Sequence, residues 1–277
     1  MNISKELFGV FCRRSMKIRL HTALLSAQLL MCVSVWQPVT AQTYTPAIEA
    51  RTVLTVEQVV NNLVRRNLER AQALAAYQGT RIYRLEYHGF PGARSAAMVV
   101  DVRYKSPGTK EFSIRSETGS KLLIERVFKK LLQSEKEAFT EENPRRSALN
   151  RDNYEFAQVG YESTPTGSLY ILSVEPRTKN KFLYRGRIWV DAEDFAVVRL
   201  EGEPAKNPSF WTKDTKIEQI YAKVGDFWFP ASNRSITSIR LGGRAYLTID
   251  YKDYRTTAVP PLSDSNSTVA NYERRRR

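Results

Sequence analysis

Sulfur and imidazole are scarce in this sequence: 277 residues hold two cysteines and two histidines. Both cysteines, Cys12 and Cys32, and one of the histidines, His21, fall within the first 41 residues. From residue 42 onward there is no thiol, which excludes a disulfide framework, a cysteine nucleophile and a zinc site assembled from Cys and His. Long apolar runs are missing too. The run from Leu20 to Trp36 is interrupted by His21 and Gln28 and falls short of the ~20 apolar residues that a permanent bilayer span requires. No Gly-x-x-x-x-Gly-Lys phosphate loop, Gly-x-Ser-x-Gly elbow or His-Glu-x-x-His helix is present, so those routes to nucleotide, acyl-transfer and metalloprotease chemistry are closed.

What is present begins with a leader. Arg13, Arg14, Lys17 and Arg19 precede the apolar run, and Val39-Thr40-Ala41 follows it, which is the order of a basic segment, a hydrophobic segment and a small-residue cleavage site. Residues 1–41 are therefore expected to be an export signal, started at Met1 or Met16 and cleaved after Ala41. Residues 42–54 read as a linker, 55–255 as the folded domain and 256–277 as a disordered basic tail ending in Arg274–Arg277. The formal charge is +14. In the cytosol such an excess would point to nucleic acid; for an exported chain the polyanions at hand are phospholipid head groups, lipopolysaccharide and cell-wall polymers. An anionic membrane surface is thus an expected partner and nucleic acid is not.

The hydrophobic period changes once. Val56, Val59, Val60, Leu63, Val64, Leu68, Ala71 and Leu74 recur at spacings of three and four behind Thr55-Val56-Glu57-Gln58, a reciprocal capping pattern. This predicts a helix of about six turns closed by Gly79. From Thr80 the period is two: Tyr83, Leu85 and Tyr87, then Met98, Val100, Val102 and Tyr104, then Phe112 and Ile114 read as strands with one face toward a core. A second helix is predicted from Leu122, Leu123, Val127, Leu131 and Leu132, followed by an exposed polar loop at 139–153. Strands are expected near 154–161, 167–176, 181–191, 195–204, 214–224, 227–241 and 243–254, with Gly225-Asp226 and Gly242-Gly243 as two-residue hairpin turns. Strands joined so closely must be antiparallel neighbours. A sheet of about ten such strands curls or splits, so a half-closed barrel under a helical lid and a split α+β sandwich with a solid core both fit the pattern.

Convergent catalytic groups are sparse. His88 ends a strand before Gly89-Phe90-Pro91-Gly92 and reads as a surface residue; Asp191, Glu193 and Asp194 fall in a turn, and Glu201 and Glu203 in a strand before Pro204. Neither acidic group is read as a glycosidase pair or a Ca²⁺ site. No catalytic residue, metal ligand or cofactor is expected.

The distinctive stretch is 184–254. It reads Tyr184-Arg-Gly-Arg-Ile-Trp-Val-Asp191, Val197-Val-Arg-Leu-Glu-Gly202, Ile217-Glu-Gln-Ile-Tyr-Ala-Lys-Val-Gly-Asp-Phe-Trp-Phe-Pro230 and Ala245-Tyr-Leu-Thr-Ile-Asp-Tyr-Lys-Asp-Tyr254. This succession resembles divergent members of the LolA/LolB-like superfamily of bacterial outer-membrane lipoprotein-sorting proteins. The resemblance implies an α+β fold: a curled antiparallel sheet of about ten strands, an incomplete, half-open β-barrel, covered by one long N-terminal helix and a second helix. It implies a periplasmic carrier whose apolar cavity holds acyl chains of lipoproteins or lipids on the way to the outer membrane, with donor and acceptor proteins at the two membranes. Candidates for that lining are Tyr83, Tyr87, Met98, Val100, Phe112, Tyr170, Tyr184, Ile188, Phe227 and Phe229. Two other roles stay open: a periplasmic lipid-sensing module of an envelope-stress system, and an exported hydrolase.

Overall fold

In the computed structural model the described residues are 54–138, 143–165, 167–180, 182–207, 212–240 and 242–259. The expected export signal, nearly all of the linker and the tail beyond 259 lie outside them. Thr55 caps the first helix as its sequence dictates: its hydroxyl accepts from the Gln58 N–H at 3.3 Å, and the Gln58 side chain accepts from the Thr55 N–H at 2.9 Å. Helix α1 spans Val56–Ala73 and buries Val59, Val60, Leu63 and Asn67.

The helix is a turn shorter than its period suggests. Leu74 takes extended geometry and opens strand β1 (Leu74–His88) with no loop between. Ladder bonds and the burial of Leu74 and Tyr77 outweigh the helical propensity of Ala73, Ala75 and Ala76. Gly79 is consequently not a helix cap. It sits inside β1, where a Cβ would lie 3.0 Å from the Tyr254 ring, so the small residue permits that ring to approach.

Strands β2 (Arg94–Lys105) and β3 (Thr109–Gly119) follow as a meander. The next strands are β4 (Tyr154–Thr164), β5 (Gly167–Pro176), β6 (Tyr184–Asp191), β7 (Val197–Pro204), β8 (Thr212–Val224), β9 (Phe227–Ile239) and β10 (Arg244–Ala258). All pair antiparallel in one ten-stranded sheet of order β3-β2-β1-β10-β9-β8-β7-β6-β5-β4, which does not close on itself. The half-open arrangement is therefore the one adopted. Pairing of β10 with β1 joins the two meanders. Because β1 starts early, β10 runs past residue 255, matching Thr256 with Tyr77 and Ala258 with Leu74, so the first three residues of the expected tail are strand.

Gly225-Asp226 forms the expected two-residue turn, with Gly225 at φ 58°, a conformation a two-residue hairpin of this hand demands. Gly242-Gly243 does not. The connection is longer: Arg244 opposite Ser238 is the last ladder pair, the Ile239 N–H donates to the Gly243 carbonyl at 3.1 Å, and Gly243 is pressed against the end of β1, where a Cβ would meet the His88 carbonyl at 2.5 Å.

The second helical segment is continuous but not uniform. Residues Lys121–Leu123 (α2) pass through a π-helical stretch, Ile124–Phe128, into Lys129–Ala138 (α3). The wider π turn shifts the inward face: Leu123, Ile124, Phe128 and Leu132 are buried, whereas Leu122 is exposed and Val127 and Leu131 are only partly buried. The polar loop expected at 139–153 contains a short helix, α4 (Asn143–Ser147), braced by the Asn153 side-chain amide, which donates to the carbonyls of Arg145 and Ala148 at 2.8 Å each.

Candidate functional site

Residues directly opposite in an antiparallel ladder share a face, so register alone shows what lies side by side across the sheet. One row reads Leu172, Ile188, Leu200, Gln219, Asn233, Ile249, Tyr83 and Met98, from β5 through to β2. None of the eight is more than 7% exposed. Two residues along, the adjoining row carries Gly186, Gly202, Ile217, Ser235, Leu247 and Leu85. The sheet therefore presents an apolar face with a polar centre at Gln219, Asn233 and Ser235. Strand β8 continues that centre with Thr215, 1% exposed, whose hydroxyl lies 3.1 Å from that of Thr237.

The β1–β2–β3 wing is roofed by the α2–π–α3 segment. Leu123, Ile124, Phe128 and Leu132 pack there with Tyr83, Leu85, Met98 and Val100, and the Phe128 ring lies 5.6 Å from that of Tyr83. Under this roof sits a buried charge cluster. Glu135 of α3 accepts from both terminal nitrogens of Arg81, at 2.6 and 2.9 Å, and from Lys110 Nζ at 2.5 Å. Their side chains are 4, 3 and 1% exposed in the order Glu135, Arg81, Lys110. Burial by itself would raise the Glu135 carboxyl; the two facing cations overcome this and hold it at about 2. Aromatic rings complete the setting: the Arg81 guanidinium lies 5.5 Å from the Phe112 ring and 5.3 Å from Tyr251, and Lys110 lies 5.4 Å from Tyr77.

The ten residues proposed from sequence divide into groups. Tyr83, Met98, Val100, Phe227 and Phe229 join the main cluster, with Phe112 packed at its edge over the charges. Ile188, Tyr170 and Tyr184 belong to the opposite wing, where Tyr170 meets Tyr161 at 5.1 Å and Tyr184 meets Tyr154 at 5.5 Å. Burial pushes the hydroxyls of Tyr184 and Tyr154 well above the usual phenol range. Tyr87 is half-buried at the end of β1, its hydroxyl donating to the Phe90 carbonyl at 2.7 Å, a tie between the β1–β2 and β9–β10 loops.

Arg81, Lys110, Glu135, Gln219, Asn233 and Ser235 escaped the sequence reading. Their signal was parity: Arg81 lies two residues before Tyr83, Lys110 two before Phe112, and Glu135 three after Leu132, all on the inward side of their elements.

The acidic residues weighed as catalytic pairs have structural partners. Asp191 accepts from the backbone N–H groups of Glu193 and Asp194 in its turn, and Asp194 accepts from Lys223 at 2.6 Å. Glu201 and Glu203 stand on the outer face among Arg199, Arg185 and Lys216. Cavities of about 570 and 380 Å³ open beside β6, β7 and β8 among these charges, the larger also reaching Gly186, Gly202, Ile217 and Ser235 of the adjoining row. No group of three or more metal-ligating side chains occurs among the described residues.

Fold and site together define a class of protein: an open, curled antiparallel sheet whose apolar inner face is roofed by helices. No protein-family profile and no curated protein matches the chain. Solved structures do. A DUF1329 family protein from Desulfovibrio piger is 15% identical with a TM-score of 0.36, over 76% of this chain and 95% of its own. A domain named for outer membrane lipoprotein sorting, from Vibrio parahaemolyticus, is 11% identical with a TM-score of 0.36, over 78% and 98%. A LolA superfamily protein from Nitrosomonas europaea is 11% identical with a TM-score of 0.32, over 75% and 96%.

Proposed function

We propose that the chain is a periplasmic carrier that holds an acyl chain of a lipid or lipidated protein against the inner face of its sheet and moves it toward the outer membrane. The observation that carries this reading is the apolar row spanning the sheet, one wing of which lies under a helical roof that shares one buried carboxylate with two strands. Lifting α3 away from Arg81 and Lys110 opens that face, and hydrocarbon then replaces Phe128 and Leu132 on Tyr83, Met98 and Val100. About fifteen methylenes at ~0.8 kcal/mol each supply ~12 kcal/mol gross, from which ordering and roof opening are subtracted. Binding of this size is reversible without a covalent step.

The surplus of Lys and Arg favours docking at anionic membranes, each basic residue near the surface adding ~1 kcal/mol. The hydrolase alternative calls for a carboxyl raised toward neutrality to act as an acid; the buried Glu135 is shifted the other way and is neutralised by its partners.

Titration of the protein, purified from the periplasm without detergent, with pyrene-labelled hexadecanoic acid tests the reading. Saturable uptake is expected, with higher apparent affinity for Glu135→Gln, because a roof that opens more readily exacts a smaller conformational toll. Absence of uptake by both proteins contradicts it.

A further inference from the structure

The polar centre of the inner face has a direction built into it. Gln219 lies beside two carbonyl groups, Ser232 O at 3.0 Å and Ile220 O at 3.2 Å, so the side-chain atom facing them must be its Nε2, which donates to both. Gln219 Oε1 is thereby turned toward Asn233 and accepts from Asn233 Nδ2 at 2.8 Å. This fixes the Asn233 amide in turn, and its Oδ1 is left as a buried acceptor with no donor among the described residues. Ser235 Oγ, two residues along the same strand and on the same face, is likewise without a partner among them. Asn233 is 2% exposed and Ser235 3%. A buried acceptor left unmet destabilises the fold, so Asn233 Oδ1, with the Ser235 hydroxyl on the same face free to donate or accept, is a position prepared for a donor that arrives from outside.

The surroundings narrow what that group is. Along the row Asn233 is flanked by Ile249, Tyr83 and Met98 on one side and, beyond Gln219, by Leu200, Ile188 and Leu172 on the other. Three strands on either side span about 14 Å each at ~4.8 Å per strand. Next to Ser235 and Ile217 the adjoining row has Gly202 and Gly186, which present no side chain above the sheet.

We infer that Asn233 and Ser235 form a polar subsite for a hydrogen-bond donor embedded in hydrocarbon, such as an amide N–H or a hydroxyl within an acyl chain, and that the subsite discriminates against chains joined only through esters. An ester offers acceptors and no donor, so it leaves Asn233 Oδ1 unpaired when it lies across the face. This inference rests on the acyl-binding reading above and specifies which acyl ligands that face prefers.

The test is a competition against the pyrene probe with three nearly isosteric ligands: N-octyloctanamide, octyl octanoate and heptadecan-9-ol. The amide and the alcohol are expected to bind about tenfold more tightly than the ester. Asn233→Leu is expected to abolish the preference by restoring ester affinity, and Ser235→Ala, a smaller change that keeps the fold if the first variant does not, is expected to reduce it. An amide bound tenfold better with the alcohol equal to the ester identifies the donor as an N–H and supports the subsite. Equal affinity of all three for the wild-type protein, or a preference that survives both substitutions, overturns the subsite and leaves the acyl-binding reading intact, with water as the occupant of Asn233. Failure of all three ligands and of the probe to bind overturns both.

Discussion

At the scale of single residues the most consequential group is Glu135. It is a carboxylate shared by two buried cations, and removing it leaves both uncompensated in a low-dielectric interior. Glu135→Gln is expected to lower unfolding stability by roughly 3–5 kcal/mol, measured as a reduced urea midpoint at unchanged slope. Replacing Arg81, Lys110 and Glu135 together by apolar residues of similar volume is expected to cost far less. The pH dependence follows from the same cluster. The carboxyl is held at about 2 in the folded chain against an ordinary value of 4.5, so its contribution to stability is complete above about pH 4.5 and is lost as the pH falls toward 2. Urea midpoints recorded from pH 6 down to pH 2 check this: Glu135→Gln should flatten the acid limb, and an unchanged acid limb would show that another carboxyl is responsible. These residues were hidden because a charge at an inward position in a sequence looks the same whether it breaks a pattern or finds a partner. Arg81 sits on the parity of Tyr83 and Leu85, but only the fold shows that α3, 54 residues on, delivers Glu135 to it.

At the scale of elements the roof is the part expected to move. It is a single helical layer interrupted by a π segment, and its hold on the sheet comes from Leu123, Ile124, Phe128 and Leu132 together with the Glu135 cluster. Truncating Phe128→Ala removes the ring packed on Tyr83 and is expected to raise amide hydrogen exchange across 124–138 at least tenfold while the β1 and β10 amides stay protected. Uniform loss of protection across sheet and roof would show instead that the roof and the core unfold as one unit. From β4 onward the strands were legible to within four residues at either end, because alternation of period two survives wherever one face is buried and turn-formers mark the ends, whereas β1 begins six residues before the expected Thr80. The helix ends were less so. Nothing in Arg70-Ala71-Gln72-Ala73-Leu74-Ala75-Ala76 stops a helix, and β10 decides the boundary by offering Leu74 and Ala76 a ladder. The π turn left no mark either: Leu123, Val127 and Leu131 keep ordinary helical spacing of four, and the inward rotation of Ile124 and Phe128 is set by the surface they meet.

At the scale of the whole molecule, sequence order and spatial order nearly coincide. Every strand but one lies beside its neighbour in the chain, and β10 returns to β1, so the sheet is two meanders stitched by the longest strands in it. That simplicity is why strand count and antiparallel pairing could be read directly, while the choice between a hollow half-barrel and a filled sandwich could not: both bury the same alternating faces. The outer face is a lattice of exposed ion pairs such as Arg199 with Glu218 at 3.0 Å and Arg185 with Glu175 at 3.2 Å, each worth less than about 1 kcal/mol and serving mainly to keep that side wetted. Function is therefore assigned to the inner face. The central claim, that this face carries hydrocarbon, is tested most directly by native mass spectrometry of the protein purified from the periplasm without detergent, with organic extraction of whatever travels with it. The account predicts an adduct that dissociates to an acyl-bearing lipid or lipidated protein, richer in amide-linked or hydroxylated chains than the membrane it came from. A protein that flies at its bare polypeptide mass and yields no acyl chains on extraction would contradict it.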